Sequence, residues 1–256
     1  MPEEREIRRP RGSKEGNRRV RAARCAGARA PAGRTEEGVE VTERSDGLGE
    51  SEIRRTERDE TRGAGEAPLA PAIADPAPLG LAAFALTTFL LSLFNAGLLP
   101  EAGEPVVFPL AAFYGGLAQF VAGLWEFRNN NTFGATAFTS YGAFWLTFWA
   151  LETFYANRIP EDQLPLYVGW FLIAWAVFTA YMWIGSFKVS VAVNIVFLLL
   201  TATFLLLGIG DVLGNEAIVR IGGYLGLVTA FAAWYASAAG VLNDTVGRTI
   251  LPVGHK

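Results

Sequence analysis

The chain has 256 residues, a formal net charge of -3 and 51% hydrophobic residues, averages that an ordinary soluble domain would share. They conceal two unlike parts: 16 of the 22 Lys and Arg residues precede Asp75, and the other six (Arg128, Arg158, Lys188, Arg220, Arg248 and Lys256) are strung singly through the rest of the chain. The single cysteine, Cys25, and the single histidine, His255, lie outside the apolar part, which excludes a disulfide framework, a Cys/His zinc site and histidine catalysis inside a membrane.

Residues 1–74 mix Arg, Glu, Gly, Ala and Pro with few aromatic or large aliphatic side chains. That is too little apolar surface to offset the entropy of ordering, so a disordered charged tail is predicted. No apolar run in it is long enough for a secretory signal, and its acidic residues argue against an organellar transit peptide. A second reading stands beside the first: translation begins later, near Gly38 to Val41, and the tail is no part of the protein.

Residues 75–245 read as an all-α membrane domain of six transmembrane helices, since a hydrocarbon core of about 30 Å takes about 20 helical residues to cross. The apolar windows run over 78–98, 106–127, 134–155, 166–184, 189–209 and 218–241. Breakers separate them at 100–105, 128–131, 156–165, 185–186 and 210–215, and such short connections make successive helices antiparallel. Lys and Arg are retained on the cytoplasmic side, so the basic tail and Arg128, Lys188, Arg248 and Lys256 are expected inside. Both termini are then cytoplasmic, 246–256 forms a short inner end, and Glu101, Glu104, Glu161, Asp162, Asp211 and Glu216 face out, with Arg158 and Arg220 as exceptions.

Asp75 before Pro76 opens the first span as an N-cap ahead of a first-turn proline. The alternative use of that helix start is an anion site at its positive end. Along the first span Phe84, Thr87, Thr88, Leu91, Ser92 and Asn95 fall at three- and four-residue spacing and share one face. The third span repeats the pattern with Thr136, Thr139, Ser140, Ala143 and Thr147, and the second carries Gly115, Gly116, Gln119 and Gly123 on one stripe. Small and polar faces of this kind favour a bundle interior, although Ser and Thr can also bond back to their own helix carbonyls. Gln119 needs an amide partner in hydrocarbon and is either interhelical glue or a pathway residue. Glu126 and Glu152 are expected at the interfaces, with no buried mid-span carboxylate, and the seven tryptophans at belt and packing positions without chemistry.

Four blocks go beyond periodicity. They are Asp75-Pro76-Ala77-Pro78-Leu79-Gly80-Leu81 with Phe84, then Phe113-Tyr114-Gly115-Gly116 with Gln119, then the run from Asn131 to Thr147, and finally Gly247-Arg248-Thr249 with Leu251-Pro252. Together they resemble the acetate uptake transporter family, the succinate–acetate permeases, over roughly residues 74–254. The resemblance implies a six-helix protomer assembled as a hexamer, multi-pass in the plasma membrane, each protomer carrying acetate and in some members succinate or other short carboxylates. It leaves open whether transport is proton symport or channel-like. It also implies an apolar constriction at Phe84, Tyr141 and Leu200. One position departs from the pattern: Asp75 stands where the family usually has Asn.

On this reading Thr87, Thr88, Ser92, Asn95, Gln119, Thr136, Thr139 and Ser140 supply hydrogen bonds on either side of the constriction. With Asp75, Pro76, Ala77, Pro78, Leu79, Gly80 and Tyr114 they make up the expected substrate pathway. The partners are small carboxylates, the lipid bilayer and further copies of the chain; no nucleic acid, metal, cofactor or enzyme activity is expected. The competing readings are a non-transporting membrane scaffold or sensor and an ammonium-linked transporter.

Overall fold

The computed structural model describes residues 73–254, so the expected tail lies outside the described residues except for its last two positions. Helix α1 spans Ala77–Asn95 and α2 spans Glu101–Arg128. Helix α2 opens as a 3-10 turn, Glu101–Val106, and holds a π-helical stretch, Ala111–Ala118. Helix α3 covers Thr132–Ala150 and runs on through a π turn, Leu151–Tyr155. Helices α4, α5 and α6 are Leu164–Ser186, Val191–Leu213 and Glu216–Val246.

Five of the six are long and apolar enough to cross a membrane. The exception is α3, whose length suffices but whose apolarity is diluted by Thr132, Thr136, Thr139, Ser140 and Thr147. The span expected at 134–155 is therefore present as a helix, the one of the six without a stretch apolar enough to cross a membrane.

Helix ends follow backbone chemistry more than hydropathy. Helix α1 stops where Gly97 takes φ 69°, with its N–H bonding Phe94 O and that of Leu98 bonding Leu93 O, a Schellman ending. Helix α5 ends the same way at Gly214, φ 60°, with Asn215 N–H on Gly210 O. The breaks expected at 185–186 and at Gly210 lie inside α4 and α5 instead. Neither of those glycines has positive φ, and a helix tolerates glycine until the chain must turn left-handed. Starts are capped by side chains: Asn131 accepts from Gly134 N–H, Ser190 from Val193 N–H, and Asn215 from Ala217 and Ile218 N–H.

Glycines set the helix pairing. A Cβ on Gly223 would meet Asn95 and Ala96, and one on Gly240 would meet Pro78, so α1 and α6 run antiparallel in close contact. Gly169 against Gly208 joins α4 to α5, Gly222 against Leu207 joins α5 to α6, and Gly123 against Thr139 joins α2 to α3. The expected small-residue stripes are thus helix seams, where absent side chains let backbones approach.

The C-terminal stretch of chain after Gly247 is also fixed. Asn243 accepts from Ile250 and Leu251 N–H and donates to Leu251 O. Val253 and Gly254 carbonyls then accept from Ala192 and Val191, covering two N–H groups at the start of α5 that would otherwise lack partners.

Candidate functional site

Aromatic side chains dominate the middle of the bundle. The Tyr141 ring lies 6.0 Å from Phe84, 5.4 Å from Phe178 and 6.0 Å from both Trp175 and Phe197. Its hydroxyl donates to Thr179 Oγ1 at 2.9 Å, and that threonine donates to Trp175 O, so the phenol is anchored on α4. Helices α1, α3, α4 and α5 thereby meet in one cluster of rings.

Spaces lie on both sides of that cluster. A larger cavity of about 270 Å³ is lined by Phe84, Thr88, Ser92 and Asn95 of α1, Trp145 and Glu152 of α3, Leu200 and Thr203 of α5, and further apolar residues. A smaller one of about 20 Å³ is lined by Gln119, Leu81, Phe138, Tyr141 and again Phe84 and Leu200. Because Phe84 and Leu200 border both, they are the partition. A water needs about 10–15 Å³ of such space, so the smaller cavity admits about one water and no carboxylate.

Several residues that line these cavities hold a buried polar atom without a protein partner. Thr88 Oγ1, Trp145 Nε1 and Gln119 Oε1 are buried and make no hydrogen bond among the described residues. Trp145 is 2% exposed and Gln119 1%. An orphaned buried polar atom is rare enough to require an explanation, and a cavity beside it suggests a solute. Thr203, by contrast, is satisfied by Leu199 O and by Thr229 at 3.2 Å.

The larger cavity continues toward a vestibule of about 550 Å³, with Asn95, Glu104, Pro165, Asp211 and Val219 common to both. Glu101, Glu216 and Arg220 complete the charged groups of the vestibule. Of the carboxylates expected together at one end of the bundle, Glu101, Glu104, Asp211 and Glu216 do gather there, and Glu152 joins them.

Sequence reasoning and geometry part company at several positions. Of the α1 stripe, Phe84, Thr88, Ser92 and Asn95 line the larger cavity, but Thr87 does not. Its hydroxyl bonds Ala83 O and its side chain fills the gap over Gly115. Helix α3 presents Tyr141, Phe144, Trp145 and Phe148 inward, which turns Thr136, Ser140 and Thr147 away; Thr147 bonds Ala143 O. Thr139 packs on Gly123, and Tyr114 is half-buried outside both cavities. One helix cannot aim both faces at one cavity, and the aromatic face is the more apolar.

Residues 75–80 of the opening motif line neither cavity, whereas Leu81 lines the smaller one. Asp75 caps the chain as expected, accepting from Ala77 N–H at 2.9 Å, but Pro76 and not Asp75 directly precedes the helix. Pro76 and Pro78 have no N–H and that of Ala77 is taken, so little is left at this helix start for an anion. Ala77 and Leu79 belong to this first turn, which is instead a packing element: Ser237 donates to Pro78 O, and Gly80 sits against the Phe138 ring. Asp75→Asn keeps the accepting oxygen, so acetate uptake into proteoliposomes is expected to change by less than about twofold, whereas Asp75→Ala costs about 1 kcal/mol of cap, read as a lower melting temperature.

Glu126 lies near a span end as expected, but it is shut off from solvent. It is 1% exposed, admitted by the absence of a side chain on Gly134, and its Oε2 accepts from Asn131 Nδ2 at 2.9 Å. The buried carboxylate stands in the last turn of α2 and not in mid-span. Trp145 was legible only as a position on the Tyr141 stripe, four residues on.

Apolar helices closed around partitioned cavities define a multi-pass helical membrane protein. The chain belongs to the GPR1/FUN34/yaaH family, whose model matches residues 62–255. It is 43% identical over 182 residues to the succinate-acetate/proton symporter SatP of Escherichia coli, covering 71% of this chain and 96% of that protein. It is 42% identical over 197 residues to acetate permease A of Emericella nidulans, covering 71% of this chain and 66% of that protein. The solved structure of the bacterial acetate channel SatP superposes with a TM-score of 0.68 at 43% identity, over 72% of this chain and all of that one.

Proposed function

We propose that this protein carries acetate and related short carboxylates across the membrane, through the vestibule, the larger cavity, the Phe84–Leu200 partition and the pocket lined by Tyr141 and Gln119. The observation that carries the reading is the larger cavity itself, lined by Thr88 and Trp145, whose hydroxyl and indole N–H are unpartnered, with an apolar partition at its end. Both groups can donate to a carboxyl oxygen. Gln119 Oε1 on the far side can accept the proton of a neutral acid. The kinship with proteins named as acetate transporters supports the same substrate class.

A carboxyl group with pKa a little above 4 is almost wholly ionised near neutral pH. Pushing that charge past aromatic rings costs far more than pushing the neutral acid. Passage with a proton on the substrate, or coupled to one, follows from the apolar partition. In this reading the protomers form a hexamer in the plasma membrane with both chain termini in the cytoplasm; loop charge and the many exposed apolar side chains support it.

The test is uptake of labelled acetate by proteoliposomes holding the purified chain, with and without an inward proton gradient, and with ammonium in a parallel arm. Gradient-stimulated acetate flux is expected. Flux indifferent to the gradient would remove the proton and leave a channel, and absence of acetate flux from folded protein would sink the reading. Trp145→Phe keeps an aromatic ring and deletes the donor; about a tenfold rise in the KM for acetate is expected, the worth of one hydrogen bond to a charged group.

A further inference from the structure

A pathway for anions that begins among carboxylates needs a reason. Glu104 stands at the entry turn of α2, Glu152 in the π turn that extends α3, and Asp211 in the last turn of α5, and all three line the larger cavity. Glu104 lines the larger cavity with Glu152 and the vestibule with Glu101. Counting the vestibule, the charged groups facing this entrance are Glu101 and Glu104 from α2, Glu152 from α3, Asp211 from α5, and Glu216 with Arg220 from α6. Helix α1 contributes the neutral Asn95 and α4 the apolar Leu164, Pro165 and Val168. Among these lining residues Arg220 alone is cationic, and it is 3.5 Å from Glu216, which offsets part of its charge.

A second observation ties these carboxylates to a solute. Thr88 and Trp145, both more than nine-tenths buried, line the same cavity, and Thr88 Oγ1 and Trp145 Nε1 have no partner among the described residues. An indole N–H can only donate, so what it meets must carry an acceptor such as a carboxyl oxygen. The donors select a carboxyl group, and the carboxylates at the entrance act on its charge.

We infer that Glu104, Glu152 and Asp211 form a charge filter at the entrance of the larger cavity, one that passes monocarboxylates and singly charged dicarboxylate species and rejects dianions. The reason is arithmetic: repulsion scales with the charge of the solute, so a dianion meets twice the barrier of a monoanion, and the two rates differ by the square of one factor against the factor itself. Size is not the criterion, since a cavity of about 270 Å³ takes either. The filter deepens the transport reading above and rests on it.

Succinate and monomethyl succinate separate charge from size, being nearly alike in length and carrying two charges and one near neutral pH. The full chain in proteoliposomes is expected to take up monomethyl succinate at least about tenfold faster than succinate. In the double variant Glu152→Gln with Asp211→Asn, that ratio should shrink about tenfold, because succinate gains by the larger factor. Raising ionic strength from about 0.02 M to about 0.5 M should narrow the ratio in the unmodified protein about threefold, since the vestibule charges become screened. The salt arm needs no variant and decides the matter even if the double variant does not fold. Equal uptake of the two solutes, a ratio unmoved by salt, or a folded double variant with the ratio intact each overturns the filter. Acetate flux measured beside them keeps the two ideas apart: acetate flux with no discrimination sinks the filter alone, and no acetate flux sinks the transport reading.

Discussion

Gly223→Ala is expected to leave almost no folded protein. A Cβ at Gly223 would lie 2.5 Å from Asn95 C and 2.8 Å from Ala96 Cα, and it would meet Ala96 N as well. These are main-chain atoms at the end of α1, so no rotamer change can make room. The seam between α1 and α6 would have to open, and α1 carries Phe84, Thr88 and Ser92 into the larger cavity. Overpacking commonly costs about 1–3 kcal/mol when side chains can yield. Here nothing yields, and the cost sits at or above the top of that range. Gly185→Ala is the matched control. Its Cβ would sit 3.5 Å from the Phe133 ring, ordinary contact, within a helix where Ala is worth about 0.5–1 kcal/mol over Gly. One methyl group should therefore abolish the monodisperse peak of detergent-purified protein at one glycine and raise the melting temperature slightly at the other. Equal behaviour of the two variants would show that the α1–α6 seam is not a close contact.

That contrast also marks what the sequence could and could not say. Gly222 and Gly226 were readable as packing residues from their four-residue spacing, yet nothing in the string separates a glycine at a backbone crossing from one such as Gly185 that meets little. Six helices were readable because hydrophobic length is a one-dimensional property. Their ends were not, since Gly97 and Gly214 stop helices through left-handed φ whereas Gly185 and Gly210 continue them, and φ is decided by what the chain must do next. Most of the α1 stripe transferred to the cavity because α1 has one polar face. Helix α3 has two usable faces, and the choice went to Tyr141 and Trp145 because rings on α4 and α5 were there to meet Tyr141. The burial of Glu126 was missed for a similar reason: it depends on Gly134 and Asn131, which are neighbours across the turn to α3 and carry no burial signal of their own. Phe84, Tyr141 and Leu200 came from family resemblance and Phe84 also from helical spacing; that Phe84 and Leu200 stand as a partition between two cavities while Tyr141 borders only the smaller one is a property of three helices together.

Phe84→Ala tests that partition and should produce the largest gain in rate. Phe84 is 5% exposed and borders both cavities, so removing its ring joins a space of about 270 Å³ to the pocket of about 20 Å³ that holds Gln119. Water can then follow the solute, and the desolvation cost that the ring imposes on a carboxylate falls. If only about 1.4 kcal/mol of that cost disappears, acetate flux rises about tenfold. Selectivity should fail with it, because a wider aperture no longer discriminates by girth: benzoate, which the intact partition should exclude, is expected to gain at least about tenfold more than acetate, each tenfold again corresponding to about 1.4 kcal/mol. Phe84→Leu leaves part of the bulk in place and should fall between. Leu200→Ala opens the same partition from α5, so the double variant should gain less than the product of the two single effects, as expected for residues that share one barrier. The Phe84→Ala variant also loses the ring contact with Tyr141, worth about 0.5–1.5 kcal/mol, and its melting temperature will be lower. Rates must therefore be normalised to folded, reconstituted protein. A folded Phe84→Ala variant that loses acetate flux, with benzoate still excluded, would make the ring a surface that the substrate needs and not a barrier that it must pass.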